Sequence, residues 1–241
     1  MPMPALTFAA ALLLASAFLL ARYCRRFTPK HKHRWQALSA GVAVAYVFVN
    51  VIPELEEHRP TVAGTAMKIV LSAEKRIYVW ALAGCIAFAG LRSLEYHKPK
   101  NGQRSDRAGL VYWGVMAGYA LYTLLLGYLL IHREDDSLLS LELFVFAMGL
   151  HLFMLDQELV EKFECRYAPL GGYLLAFCVL LGWILGSIHA FSDSLTSRLF
   201  AFIVGGVVMS AAHEELPSEG NGRFWWFVAG ATFYATLLML I

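Results

Sequence analysis

The sequence predicts an all-α polytopic membrane protein, and its composition is the first reason. The chain has 241 residues, of which 59% are hydrophobic and 16% are charged. Soluble globular domains contain far more charge and less apolar surface than this. At about 20 apolar residues per span, the length holds at most eight or nine spans and little else. We therefore expect one transmembrane domain over residues 1–241, surrounded by the lipid bilayer.

Eight apolar runs are the second reason, because each is long enough to cross a bilayer as a helix. The first is interpreted as a retained helix rather than a signal peptide, since Arg22, Arg25 and Arg26 follow it and no basic residue precedes it. The polar segment 95–107 links a three-helix block (1–94) to a five-helix block (108–241). The runs lie near 4–23, 35–54, 76–94, 108–131, 138–156, 169–190, 196–214 and 222–241.

The distribution of basic residues predicts the orientation. Fourteen Lys and Arg residues follow the odd-numbered runs, and six lie on the opposite side. The richer side faces the cytoplasm, so both termini are expected outside, in a plasma or inner membrane, with linker 95–107 inside. The net charge of +2 does not indicate the concentrated basic face that nucleic-acid binding needs. No nucleic-acid partner is expected.

The second and seventh runs end in similar proline-containing motifs. Aligning Pro53 with Pro217 also aligns Gly41 with Gly205. Because one helix runs outward and the other inward, this match is typical of an inverted repeat, here of helices 1–3 against helices 6–8. Two unrelated helices that end at proline would give the same short match.

On these residues the chain resembles the ZIP (Zrt/Irt-like) family of divalent-metal transporters. Residues 49–54, Val-Asn-Val-Ile-Pro-Glu, are similar to the end of the family's second helix, and residues 213–217, His-Glu-Glu-Leu-Pro, to its seventh. Eight spans, outside termini and a long cytoplasmic linker after helix 3 also fit the family. The resemblance implies zinc or another divalent metal as the transported ion, no resident cofactor, and a homodimer as a candidate assembly.

The family binds its ions between helices 4 and 5, at motifs that resemble His-Asn-x-Pro-Glu-Gly. The matching segment of helix 4 has Tyr122 and Thr123 at its start and Leu126 where the carboxylate belongs. Helix 5 keeps His151, but Leu155 replaces the carboxylate. Zn²⁺ needs about four N, S or O ligands, so the resemblance predicts a metal site that has been eroded.

Several polar residues remain as candidate metal ligands. His151 falls near the middle of its helix, and an ionisable residue at that depth is a functional-site hypothesis by default. The alternative is a neutral histidine bonded to Tyr122, Thr123 or a backbone carbonyl. If an ion is carried, Asn50 and His213 are expected to coordinate or relay it with His151. Further candidate ligands are Asp156, Glu158 and Glu214.

Acidic residues also cluster at both predicted mouths of the bundle. Glu158 lies seven residues after His151 and therefore on the same helix face; Glu215 is expected at the same inner surface. Glu54, Glu57 and His58 form the outer cluster. Such clusters form vestibules that attract cations, and the alternative is that they are solvated helix ends and polar loops.

Catalysis is not expected. His213-Glu214 lacks the second histidine of H-E-x-x-H, and G-x-S-x-G is absent. An intramembrane enzyme is thus the least favoured class. The main alternative to a metal permease is a non-transporting membrane protein that binds a partner or a small ligand between its helices, which the missing carboxylates motivate. The four widely spaced cysteines indicate no metal or redox site.

Overall fold

The computed structural model describes residues 4–24, 32–57, 76–96, 106–133, 137–163, 167, 170–215 and 223–240. These residues form eight helices, which confirms the all-α fold class. The second helix contains a π-helical turn, and we treat it as one element. The helices are α1 (Pro4–Cys24), α2 (Lys32–Tyr46, the π turn Val47–Val51, and Ile52–Glu57), α3 (Arg76–Tyr96), α4 (Asp106–Leu129), α5 (Leu138–Phe163), α6 (Gly171–Ile188), α7 (Asp193–Glu215) and α8 (Arg223–Met239).

Seven of the described helices are long and apolar enough to cross a membrane, namely α1 to α7. The eighth contributes a shorter apolar segment, Phe224–Met239, so seven of the eight predicted spans correspond to helices of sufficient length and apolar character. Large apolar side chains such as Ile86, Leu110 and Phe233 are exposed on the helix surfaces. Lipid accommodates such surfaces, whereas water does not. The chain is therefore a polytopic membrane protein.

Pro53 explains the π turn in α2. The N–H of Ile52 donates to the carbonyl of Val47, five residues back instead of four. Proline has no N–H to donate, and in a regular helix its ring clashes with the carbonyl four residues earlier. A wider turn just before Pro53 relieves that clash. The same turn contains Asn50, so proline sets the local backbone of a candidate site residue.

Three helix pairs approach closely through reciprocal glycines. The pairs are α2 with α8, α3 with α7, and α4 with α6. In each pair, a Cβ atom added to the glycine of either helix would overlap a backbone carbonyl oxygen of the other. Membrane helices rely on such small residues because van der Waals contact, not water exclusion, holds them together. The glycines are Gly41 and Gly230, Gly84 and Gly205, and Gly127 and Gly182.

Hydrogen bonds from buried side chains to backbone carbonyls fix α5 among its neighbours. Gln157 Nε2 donates to the carbonyl of Ala21 in α1 at 2.6 Å. Tyr234 Oη of α8 donates to the carbonyl of Leu143 at 2.7 Å. In lipid each polar group needs an internal partner, so these bonds position the helix that carries His151.

Helix α5 extends seven residues beyond the apolar run that ends at 156, to Phe163. Asp156 and Glu158 therefore lie within the helix, near its last two turns, in keeping with the prediction that Glu158 shares a helix face with His151. The apolar run ends at the charged residues. The helix continues beyond it because those charges have partners inside the bundle.

Candidate functional site

Four helices, α2, α4, α5 and α7, surround the polar groups of the bundle. We call the end where α2 and α4 finish the outer end, and the end where α3, α5 and α7 finish the inner end. These names follow the orientation that the basic residues predict. From outside to inside, the site has three layers: an outer cavity, a His–Tyr pair and an ion-pair network.

The outer cavity lies between these four helices and has a volume of about 50 Å³. Its walls are apolar except for Tyr46, Glu54, His132 and Arg133. Since a cavity of about 10–15 Å³ holds one water molecule, this one has room for roughly three. Glu54, predicted as a vestibule residue, therefore lies at a small, mostly apolar chamber.

Arg133 has an unsatisfied donor at this cavity. Its Nη2 donates to Ser140 Oγ, and its guanidinium lies 5.0 Å from the ring centroid of Phe144. Its Nη1 atom is buried and has no hydrogen-bond partner in the part of the chain that the structure describes. A buried donor without a partner costs free energy.

The middle layer is the pair formed by His151 of α5 and Tyr122 of α4. Their ring centroids are 6.4 Å apart in an edge-to-face arrangement. Both side chains are buried, with 6% of His151 and 2% of Tyr122 exposed. The Tyr122 hydroxyl makes no hydrogen bond to any residue that the structure describes. Two residues at the eroded motif positions therefore meet at the centre of the bundle.

The other predicted members of this layer are directed elsewhere. Thr123 Oγ1 donates to the carbonyl of Tyr119 at 3.0 Å, within its own helix. Asn50 Nδ2 donates to Tyr46 Oη, also within its own helix, at 3.5 Å. Leu126 lines the outer cavity, and Leu155 is buried in the hydrophobic core.

The inner layer is an ion-pair network around Glu158. Arg92 of α3 is 1% exposed, and its Nη1 pairs with Glu158 Oε1 of α5. Its Nη2 donates to Ser210 Oγ of α7 at 3.0 Å. Lys162 pairs with the same carboxylate oxygen from one turn further along α5. The network therefore links three helices and neutralises the acidic residue that sequence places beneath His151.

Asp156 lies near the start of α6, where it accepts a hydrogen bond inside the protein. Its side chain is buried, and its Oδ1 accepts a hydrogen bond of 2.6 Å from Tyr167 Oη. For Glu158 the alternative of a solvated helix end does not hold, because its side chain is 13% exposed and pairs with Arg92 and Lys162.

Some predicted site residues lie beyond what the structure describes. His213, Glu214 and Glu215 fall in the last turn of α7, and Glu57 in the last turn of α2, but their side chains are outside the described part. His58 and Pro217 also lie outside it. Among the residues that are described, no group of three or more His, Cys, Asp or Glu could hold a metal ion.

Sequence reasoning missed Arg92, which was counted among the loop charges. The signal was present, because Arg92 lies inside the apolar run 76–94 and an ionisable residue within a span marks a functional or structural site. Removing Arg92 from the count leaves thirteen basic residues inside against six outside, so the predicted orientation does not change.

Fold and site together define a polytopic membrane protein with a buried polar axis through α2, α4, α5 and α7. Comparison with protein-family models and with curated proteins finds no match to this chain.

Proposed function

We propose that this protein is a relative of ZIP-type divalent-metal permeases that has lost its metal site, and that it acts as a non-transporting membrane protein. In this proposal it binds a small ligand in the outer cavity. The observation that carries the proposal is the pairing of buried Arg92 with Glu158, because it gives the carboxylate that lies two helical turns beyond His151 a cationic partner from the chain itself.

The proposed relationship is supported by the way the paired glycines interlock. In the α2–α8 and α3–α7 contacts, as in α4–α6, each glycine lies against the carbonyl three residues before the partner's glycine. The first two contacts also join the helices whose motifs align in the sequence, with Gly41 matched to Gly205. Exchanging α2 with α7 and α8 with α3 maps one contact onto the other, as an inverted repeat requires. The contacts are Gly41 with Phe227, Gly230 with Leu38, Gly205 with Ala81, and Gly84 with Phe202.

The charges of the inner layer disfavour a dication. Arg92 and Lys162 both pair with Glu158, so this carboxylate already has two cationic partners from the chain itself. His151 and Tyr122 offer one imidazole and one neutral oxygen, which is too few ligands for Zn²⁺. The cations of the inner layer and the small number of ligands in the middle layer therefore both oppose the passage of a dication.

The outer cavity favours a small, mostly apolar molecule that carries one hydrogen-bond acceptor. Its apolar walls suit aliphatic groups, and a small side-chain shift that turns the unpaired Nη1 of Arg133 toward the cavity would give that donor an acceptor oxygen. The volume of about 50 Å³ limits the ligand to a few non-hydrogen atoms. At the ceiling of about 1.5 kcal/mol per non-hydrogen atom, a three-atom ligand reaches a Kd of roughly 1 mM at best.

A thermal-stability assay in detergent micelles tests this site with formate and formamide as probes. At about 100 mM, a ligand with a Kd near 1 mM stabilises the folded state by about 2.7 kcal/mol. We expect both probes to raise the unfolding midpoint of the wild type, and Arg133→Met to abolish the effect because the donor is removed.

Arg198→Met is the matched control for this assay. Arg198 is a partly buried cation of α7 that stacks over Trp80 and hydrogen-bonds Ser194, away from the cavity lining. The control variant should respond to the probes as the wild type does, and sodium chloride at equal ionic strength should have no effect. Equal responses of Arg133→Met and the wild type would contradict the proposed ligand site.

A further inference from the structure

The guanidinium of Arg92 is held by groups from other helices, as a ligand is held in a binding site. A charge on a helix surface has no such set of contacts. The two terminal nitrogens of Arg92 bind two different helices, with Glu158 of α5 on one side and Ser210 of α7 on the other. The guanidinium comes from a third helix, α3, and its side chain is almost fully buried. Charges at such depth are stable only when paired and hydrogen-bonded.

We propose that Glu158 and Ser210 form a cation site at the inner end of the bundle, and that the guanidinium of Arg92 is its tethered occupant. The site recognises a planar monovalent cation with several N–H donors. It lies apart from the outer cavity: on α7, Ser210 is one turn beyond Val207, which lines the cavity. The protein thereby supplies from its own chain the positive charge that a cation permease would take from solution.

The carboxylate of Glu158 has more acceptor capacity than Arg92 uses. Arg92 and Lys162 both bind its Oε1. Its Oε2 is buried and makes no hydrogen bond to any described residue. A free guanidinium ion, which has no tether to limit its orientation, can bind both oxygens of a carboxylate in parallel. The site therefore suits the free ion at least as well as the side chain.

Chemical rescue of Arg92→Ala tests the proposal. The purified variant is heated in detergent micelles with guanidinium chloride at about 20 mM, far below the molar concentrations that denature proteins. We expect guanidinium to restore at least half of the midpoint temperature that the substitution removes. Methylammonium should restore less, because it carries the same charge without the planar set of donors. Sodium chloride at equal ionic strength should restore nothing.

The double variant Arg92→Ala with Glu158→Gln is the decisive control. The double variant lacks the carboxylate, so guanidinium should leave its midpoint temperature unchanged. The midpoint of the wild type should also be unchanged, because Arg92 already fills its site. If Arg92→Ala is not recovered in a folded form, the same comparison is made on the yield when guanidinium is present during extraction. The proposal is overturned if guanidinium fails to rescue the single variant, or if it rescues both variants equally.

Discussion

Replacing Glu158 by glutamine should lower the free energy of unfolding by about 3–5 kcal/mol, because breaking a buried ion pair leaves an uncompensated charge. The charge whose ion pair with Glu158 is lost is the guanidinium of Arg92, which is 1% exposed. Lys162 loses the same partner but is 21% exposed, so it contributes less to the loss. Equilibrium unfolding in mixed micelles, followed by circular dichroism, measures the change.

Glu142→Gln is the matched control, since Glu142 is an exposed carboxylate on the same helix. It should change the stability by less than about 0.5 kcal/mol. Adding Arg92→Gln to Glu158→Gln should recover much of the loss, because two neutral amides leave no buried charge. Additive losses in this double-mutant cycle would show that the two residues do not act as a pair.

Gly84→Ala should be the most damaging single-methyl substitution in α3. The added Cβ would overlap the carbonyl oxygen of Phe202, a backbone atom that cannot move aside without separating α3 from α7. Overpacking of this kind costs about 1–3 kcal/mol, and more where backbone must shift. The loss is measured by the same micelle unfolding assay.

Gly90→Ala provides the control in the same helix. A Cβ at Gly90 meets no atom within 4 Å, and alanine favours a helix over glycine by about 0.5–1 kcal/mol. Gly90→Ala should therefore leave the protein equally or more stable. A similar response of the two variants would mean that α3 and α7 are not in glycine-mediated contact.

The helices were largely predictable from sequence, and their ends were not. A run of about 20 apolar residues remains recognisable as a membrane span even when it contains one or two polar residues. The apolar run of α5 stops near 156, where charged residues begin, whereas the helix continues to Phe163. In the structure these charges are retained inside the helix by Tyr167 and Arg92. Such partners come from other elements, so a local pattern could not reveal them.

Only the part of the candidate site that lies in the helix 4 and helix 5 motifs could be predicted from the sequence. The pairing of His151 with Tyr122 follows from adjacent positions in the helix 4 and helix 5 motifs, and the structure brings the two rings together. The ion pair of Arg92 with Glu158 joins residues 66 positions apart. The sequence around either residue contains no pattern that predicts its partner. The unsatisfied donor of Arg133 is a property of three-dimensional packing and has no sequence pattern.

Zinc uptake by proteoliposomes that contain the wild-type protein tests the central claim most directly. The claim is that Arg92 and Lys162 neutralise the inner carboxylate and that His151 and Tyr122 are too few to replace the hydration shell of a dication. We expect no saturable uptake above that of protein-free liposomes, across micromolar to millimolar zinc. Saturable uptake that His151→Ala abolishes would contradict the claim and would establish His151 as a transport ligand.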